Sequence, residues 1–280
     1  MKEPARSLVH TTGRTPLRTA RTPQRRPVSR RLKDAPAAPI GHGACGTGPM
    51  TDRIRLDMHM HTEYSRDSRV ALSEFAALAR KAELGAVCVT DHDTIEGGLR
   101  LREMDTGLQV VVGEEITTAD GELVGLFLEK QIRPGLTAET TIEHIHEQGG
   151  LAYVPHPFSR NRRRHLRRAV LDEVAPRLDI VEVFNAREAA SSSNVQALAF
   201  ARDHDLPGGV GSDSHRKIEI GGAYVEVAPF GTPAELLAAL REGKVTGTLS
   251  GLGIHVRTWI DIGRKLVTRR RGARRAGTEP

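Results

Sequence analysis

Leu56-Asp57-Met58-His59-Met60-His61-Thr62 reads as a strand that ends in two histidines. Side chains two apart on a strand share a face, so Asp57, His59 and His61 point the same way. Two imidazoles on one rigid strand can hold a divalent metal at about 2.0–2.1 Å each, and a carboxylate two residues earlier can orient them from behind. An isolated His-x-His is equally well a pair of strand histidines with no ligand. Further pieces downstream decide against that. Asp91-His92-Asp93 follows an apolar strand, Glu114-Glu115 ends another, Pro155-His156-Pro157 a third, and Asp213 and His215 repeat the first spacing. Asp67, in the loop after the first strand, joins them. Imidazole with carboxylate suits manganese, zinc or iron rather than calcium. This many groups exceed one tetrahedral site and predict two or three divalent metal ions, which activate a water and neutralise an anionic substrate.

Each piece also has a plainer reading. Asp91-His92 can also be read as a helix-capping turn, and His156 between prolines as a turn residue. Glu114 and Glu115 point to opposite faces, so at most one is a ligand. His144 and His146 fall on a helix and read as surface residues; His204 and His255 receive no role. Anion binding needs cations beyond the metals. Arg160, after the His156 loop, and Arg187, after a strand ending at Asn185, can grip a phosphate bidentately. Arg162-Arg163-Arg164 with Arg167-Arg168 reads as a solvated face in preference to a nucleotide-backbone patch.

The elements that must position these groups alternate. Strands are expected at 54–61, 86–90, 109–116, 122–128, 151–154, 179–184, 208–211 and 223–228. Helices are expected at 73–84, 95–104, 138–148, 166–175, 194–204 and 233–242, the first capped by Ser73 and stopped at Gly85. Repeated strand–helix units imply parallel strands, and short apolar strands fit a sheet covered on both faces. Six or seven units in this length suit a closed barrel better than an open sheet. Nearly every polar cluster falls where a strand ends, the rim on which barrel active sites sit.

A chain of 280 residues supports one sizeable core. It has no apolar run long enough to span a membrane. Two cysteines, Cys45 and Cys88, are too few for a disulfide framework, and the expected compartment is the cytoplasm. The net charge of +6 hides an asymmetry: residues 1–49 carry +8, residues 264–280 carry +6, and residues 50–263 carry −8. An acidic globule with basic tails suits a site that concentrates cations, with the tails open to nucleic acid or an anionic membrane. No obligate protein partner is implied. Residues 1–49 read as a disordered basic arm. Their composition resembles an organelle transit peptide, and the preferred alternative is that translation starts at Met50. Residues 50–250 form the barrel domain. Residues 251–280 form a basic helix or tail, with Trp259, Ile260, Ile262, Leu266 and Val267 on an apolar side. A solvated tail is favoured there over a membrane-surface helix.

Taken together, Asp57-x-His59-x-His61-Thr62, Thr90-Asp91-His92-Asp93, Gly113-x-Glu115-Ile116, Pro155-His156-Pro157 and Gly211-Ser212-Asp213-Ser214-His215 resemble the polymerase-and-histidinol-phosphatase, or PHP, family. The resemblance covers about residues 54–230 in the family order. It implies an α/β fold, a distorted seven-stranded (β/α)7 barrel, and hydrolysis of phosphomonoesters or of nucleotide and oligonucleotide ends by a metal-held hydroxide. By the same resemblance His59, His61, Glu115 and Asp213 would hold one metal. Glu115 would bridge to a second bound by His156, and Asp67, His92 and His215 would hold a third. Where many members place a histidine three residues before a strand glycine, this chain has Glu122, which is then a candidate ligand of the second metal. Metal amidohydrolases share the first-strand His-x-His but usually add a strand-end lysine, which is missing here. A barrel that binds without catalysing is the remaining alternative.

Overall fold

The computed structural model describes residues 53–160, 162 and 164–250. The basic arm with Met50 and Cys45, the arginine at 163, and the tail with Trp259 and His255 lie outside the described residues. The elements run β1 (Ile54–Met60), α1 (Leu72–Lys81), β2 (Ala86–Val89), α2 (Glu96–Glu103), β3 (Gln109–Thr117), β4 (Glu122–Leu126), α3 (Ala138–Glu147) and β5 (Leu151–Val154). They continue with α4 (Arg168–Val174), β6 (Ile180–Asn185), α5 (Ser191–Asp203), β7 (Gly208–Gly211), β8 (Ala223–Val227), α6 (Pro233–Arg241) and β9 (Lys244–Gly247).

Among the described residues, nine strands lie in one sheet, in the order β7-β6-β5-β4-β3-β2-β1-β8-β9. The first seven curl into a nearly closed barrel. The Asp213 amide donates to the His59 carbonyl at 2.7 Å, and the His61 amide to the Ser214 carbonyl at 3.0 Å. The exit of β7 is thereby tied to the end of β1. The lower half of β1 instead pairs antiparallel with β8, Leu56 opposite Val225, and β9 extends that hairpin. Neither the antiparallel setting of β8 nor β9 itself is visible in the apolar pattern, because Lys244-Val245-Thr246-Gly247 is largely exposed.

One strand departs from the expected parallel arrangement. β1, β2 and β3 are parallel, as are β5, β6 and β7, but β4 is antiparallel to both of its neighbours. Only Thr118-Ala119-Asp120-Gly121 separates β3 from β4, and a parallel return needs roughly a dozen residues. The reversal matters for chemistry. It sets Glu122, the first residue of β4, opposite Thr117, and Val124 opposite Glu115. Glu122 therefore reaches the same rim as the ends of the parallel strands.

Helices cover the barrel through apolar stripes. In α1 the buried residues Leu72, Phe75, Ala76 and Ala79 follow the helical period and cluster with Met60, Val87 and Val89. Ala71, with no side-chain cap, precedes this helix, and Ser73 lies within its first turn; the expected Ser73 cap is not formed. α3 starts at Thr137, whose hydroxyl accepts from the Thr140 amide at 3.2 Å. α6 starts with a Thr232–Glu235 capping box and Pro233 in its first turn. Among the described residues no helix is long and apolar enough to cross a membrane.

Candidate metal centre

The strand ends and the loops after them deliver the site. His59 lies in β1 and His61 directly follows it; Asp91 secures this strand end by taking the Thr62 amide and hydroxyl, each at 2.6 Å. Beyond β2 the chain stays beside β3: the Glu115 amide donates to Asp91 and the Asp93 amide to Glu115, which sets His92 against Glu115. Asp93 itself turns away and receives the Thr117 amide at 2.7 Å. His156 and Asp213 sit immediately after β5 and β7 with φ of 31° and 53°. Such left-handed backbone costs a non-glycine residue about 1–3 kcal/mol and persists where surroundings enforce it.

Glu115 is the hub. Its Oε2 lies 3.2 Å from His59 Nε2, 3.3 Å from His61 Nε2 and 3.2 Å from His92 Nδ1, while Oε1 lies 3.0 Å from His156 Nε2. Asp213 Oδ1 stands 3.4 Å from His61 Nε2. Asp67 Oδ2 bridges His92 Nε2 at 3.3 Å and His215 Nε2 at 3.2 Å. Glu122 faces His92 Nδ1 at 3.9 Å and His156 Nε2 at 4.0 Å. The structure thus brings all nine expected ligands together. Their atoms fall into four overlapping groups: His61, Asp67, His92 and His215; His59, His61 and Glu115; His59, His156 and Asp213; and His92, Glu115 and Glu122.

This arrangement calls for positive charge. Burial works against protonating His59, yet Asp213, Glu115 and Glu182 raise its pKa well above the ordinary imidazole value. Burial likewise works against ionising Glu115, but His92 and His59 hold it well below the usual carboxylate range. Glu122 is pushed up, by burial first and by the Glu115 charge second. His61 Nε2 and Asp213 Oδ1 are buried and have no hydrogen-bond partner. Polar atoms so placed are normally satisfied, and a cation between imidazole and carboxylate satisfies both. The residues present therefore fit a divalent metal centre.

The surroundings correct the readings of Asp57 and Arg162 and add one residue. Asp57 does not touch an imidazole: its Oδ1 receives the Ser212 and His59 amides at 3.0 and 3.3 Å, and burial lifts its pKa to about 7. The carboxylate behind His59 is Glu182 of β6, with Oε1 3.1 Å from Nδ1. The available signal was a glutamate inside the buried strand Ile180-Val181-Glu182-Val183-Phe184-Asn185. Arg162, read as part of a solvated face, instead reaches inward and pairs with Asp213, its side chain 17% exposed. Arg187 is buried, with its guanidinium 2.7 Å from His215 Nδ1 and 3.2 Å from Glu219. Arg160 is exposed on the loop after His156. Glu114 leaves the site altogether: it points away from Glu115 and accepts the Ile132 amide at 2.8 Å. His144 and His146 are partly exposed and pair with Glu147 and Asp179.

Comparison with known proteins agrees with this geometry. The family model described as the PHP domain matches residues 57–180, and the one described as PHP-associated matches residues 191–245. An uncharacterised protein of Methanocaldococcus jannaschii is 40% identical over 48% of this chain and 82% of its own length. Among solved structures, a two-domain protein from Bacteroides vulgatus, described as containing a PHP-like metal-dependent phosphoesterase, superposes with a TM-score of 0.54 at 18% identity. The match covers 70% of this chain and 65% of that one. An amidohydrolase from Chromobacterium violaceum, with bound sulfate and no metal, gives 0.50 at 16% identity over 69% of this chain and 97% of its own. At these identities the structural likenesses show the fold.

Proposed function

The chain belongs to the PHP domain family, and from that membership and the geometry of its rim we propose that it is a metal-dependent phosphoesterase. The observation that carries this reading is Glu115, a buried carboxylate within 3.3 Å of His59, His61, His92 and His156 at once. One carboxylate surrounded by four imidazoles is suited to bridging ions and has little use otherwise. On this reading His59, His61, Glu115 and Asp213 hold one ion. Glu115, Glu122 and His156 hold a second, and Asp67, His92 and His215 a third, with manganese, zinc or iron as candidates. When bound, such ions supply an activated water and neutralise charge building on a phosphoryl group.

The chain's own residues do the rest. Glu182 keeps His59 Nε2 turned toward the centre by engaging Nδ1. His215 Nδ1 accepts from the Arg187 guanidinium at 2.7 Å, because arginine can only donate, and Nε2 faces Asp67 at 3.2 Å. Arg160 is the exposed guanidinium offered to the phosphate, whereas Arg187, the other expected one, is buried and held by His215 and Glu219. The proposed substrates are small phosphomonoesters or nucleotide and oligonucleotide ends, met in the cytoplasm, and the proposed contacts of the basic tails are nucleic acid or an anionic membrane.

The test is hydrolysis of a generic phosphate ester by chelator-stripped protein, before and after manganese is restored. Activity that appears only with manganese supports the reading; full activity in stripped protein overturns it. The amidohydrolase neighbour supports a second reading, C–N hydrolysis. The residues that β3, β5 and β6 bring to the rim speak against it: they are Glu115, His156 and Asn185, with no lysine. The sulfate bound by that neighbour is itself a phosphate-like oxyanion. Amide and phosphate substrates assayed side by side separate the two.

A further inference from the structure

Asp93 is a strained residue that the metal centre leaves unused. Its φ is 56°, a setting that persists in a non-glycine residue only where its surroundings enforce it. Here they do. Oδ1 accepts the Thr117 amide at 2.7 Å, Oδ2 accepts the Thr117 hydroxyl at 3.1 Å, and the Asp93 carbonyl accepts from Gln131 Nε2 at 2.6 Å. What this fixed carboxylate holds is Arg66, whose Nη1 donates to Oδ2 at 2.9 Å.

Arg66 stands in the loop after β1, one residue before the prospective ligand Asp67. Its Nη2 lies 3.8 Å from Glu122 Oε1, and Glu122 in turn faces His92 and His156. The guanidinium is thus at the edge of the ligand cluster, yet the Arg66 side chain is 41% exposed. Arg162 and Arg187 differ in this: the first is paired with Asp213 and the second is buried against His215 and Glu219. A guanidinium carries five N–H groups in a rigid fork, more than the contacts with Asp93 and Glu122 take up. Held by carboxylates on one side and open to solvent, it is suited to receive a phosphate oxyanion. We propose that Arg66, aimed by Asp93, binds the phosphoryl oxygens of the substrate and the inorganic phosphate that hydrolysis releases. This rests on the phosphoesterase reading and adds to it a substrate-binding residue, Arg66, and a positioning residue, Asp93.

The experiment is calorimetric titration of inorganic phosphate into manganese-loaded full-length protein, after the manganese affinity of each stripped chain has been measured. The chains compared are wild type, Arg66→Gln, Arg66→Lys, Asp93→Asn and the double variant of Arg66→Gln with Asp93→Asn. Arg66→Gln should bind phosphate about 10–100-fold more weakly, the size of one lost charge-assisted contact, and KM for a generic phosphate ester should rise in step. Its manganese affinity should not fall, because Arg66 is a cation and no ligand. Arg66→Lys keeps the charge without the fork and should lie between wild type and Arg66→Gln. Asp93→Asn should weaken phosphate binding in the wild-type background and have no further effect beside Arg66→Gln, because it acts through that guanidinium. If Arg66→Gln binds phosphate like wild type, or if it loses manganese and phosphate together, the inference is overturned and the phosphoesterase reading stands. An Asp93→Asn effect that persists without Arg66 overturns the aiming. A manganese-loaded wild-type chain that neither binds phosphate nor hydrolyses the ester overturns both the inference and the reading.

Discussion

Glu182 Oε1 lies 3.1 Å from His59 Nδ1, while the same carboxylate receives the Tyr153 hydroxyl at 3.0 Å and the His156 amide at 2.6 Å. One side chain from β6 thus fixes the ring of a β1 ligand and the backbone of a β5 ligand. Losing such an outer partner typically costs 10–100-fold in metal affinity. Glu182→Gln keeps the shape but exchanges an acceptor for a donor. It is expected to bind manganese about 10–100-fold more weakly with an unchanged circular dichroism spectrum. A manganese affinity equal to wild type would remove Glu182 from the centre.

Gly211 ends β7 directly behind His59. A methyl group there would lie inside van der Waals contact of both the His59 Cβ and Glu182 Oε1. Both belong to the barrel wall and have no room to retreat. Gly211→Ala should therefore disturb the ligand and its orienting carboxylate together. Thermal unfolding with and without manganese reads this out: the rise in Tm that manganese gives the wild type should shrink sharply in the variant. An undiminished rise would mean that His59 plays no part in holding the ion.

The contrast between Glu122 and Arg162 shows what the sequence could tell. The barrel and the convergence of His59, His61, His92, Glu115, His156, Asp213 and His215 were legible because strand spacing fixes which side chains share a face. The strand ends then fix the rim. The reversal of β4 was written in the four residues between Thr117 and Glu122, but it has no periodicity to announce it. Arg162 was illegible because nothing in a run of arginines marks the one that folds inward. That choice is made by long-range pairing with Asp213, fifty-one positions away by sequence number. Asp57 and Glu182 illustrate the same limit. Spacing places Asp57 on the ligand face, but tertiary packing gives it backbone amides and gives the imidazole to Glu182.

Glu114 sets a pH dependence of stability. Burial raises its pKa from 4.5 to about 8. Between those values the folded chain holds a proton that the unfolded chain has released, so stability falls as pH rises through that window. Glu114→Gln cannot titrate. The metal ligands titrate alike in both chains, so the difference in Tm between variant and wild type isolates this carboxyl. That difference should shift in favour of Glu114→Gln as pH is raised from about 5 to about 8.5. A difference that does not change with pH would show that Glu114 is ionised throughout.

Glu122 tests the centre at the position where this chain departs from the histidine pattern. The reversed β4 places it 4% exposed on the rim, facing His92 and His156 and sharing a group with Glu115. Two carboxylates this close repel unless a cation lies between them, and burial first, with the Glu115 charge second, pushes the Glu122 carboxyl upward. A centre built this way should depend on metal more strongly than one with a histidine in that place, and should favour harder manganese or iron over zinc. Glu122→Gln keeps the volume, removes the repulsion and removes a ligand charge. The apo protein should therefore become more heat-stable while manganese binds more weakly at one position. Turnover at limiting manganese should fall and recover in part with excess metal. The two effects have opposite signs, which a merely structural glutamate would not produce. Unchanged metal content together with unchanged manganese dependence would place Glu122 outside the centre.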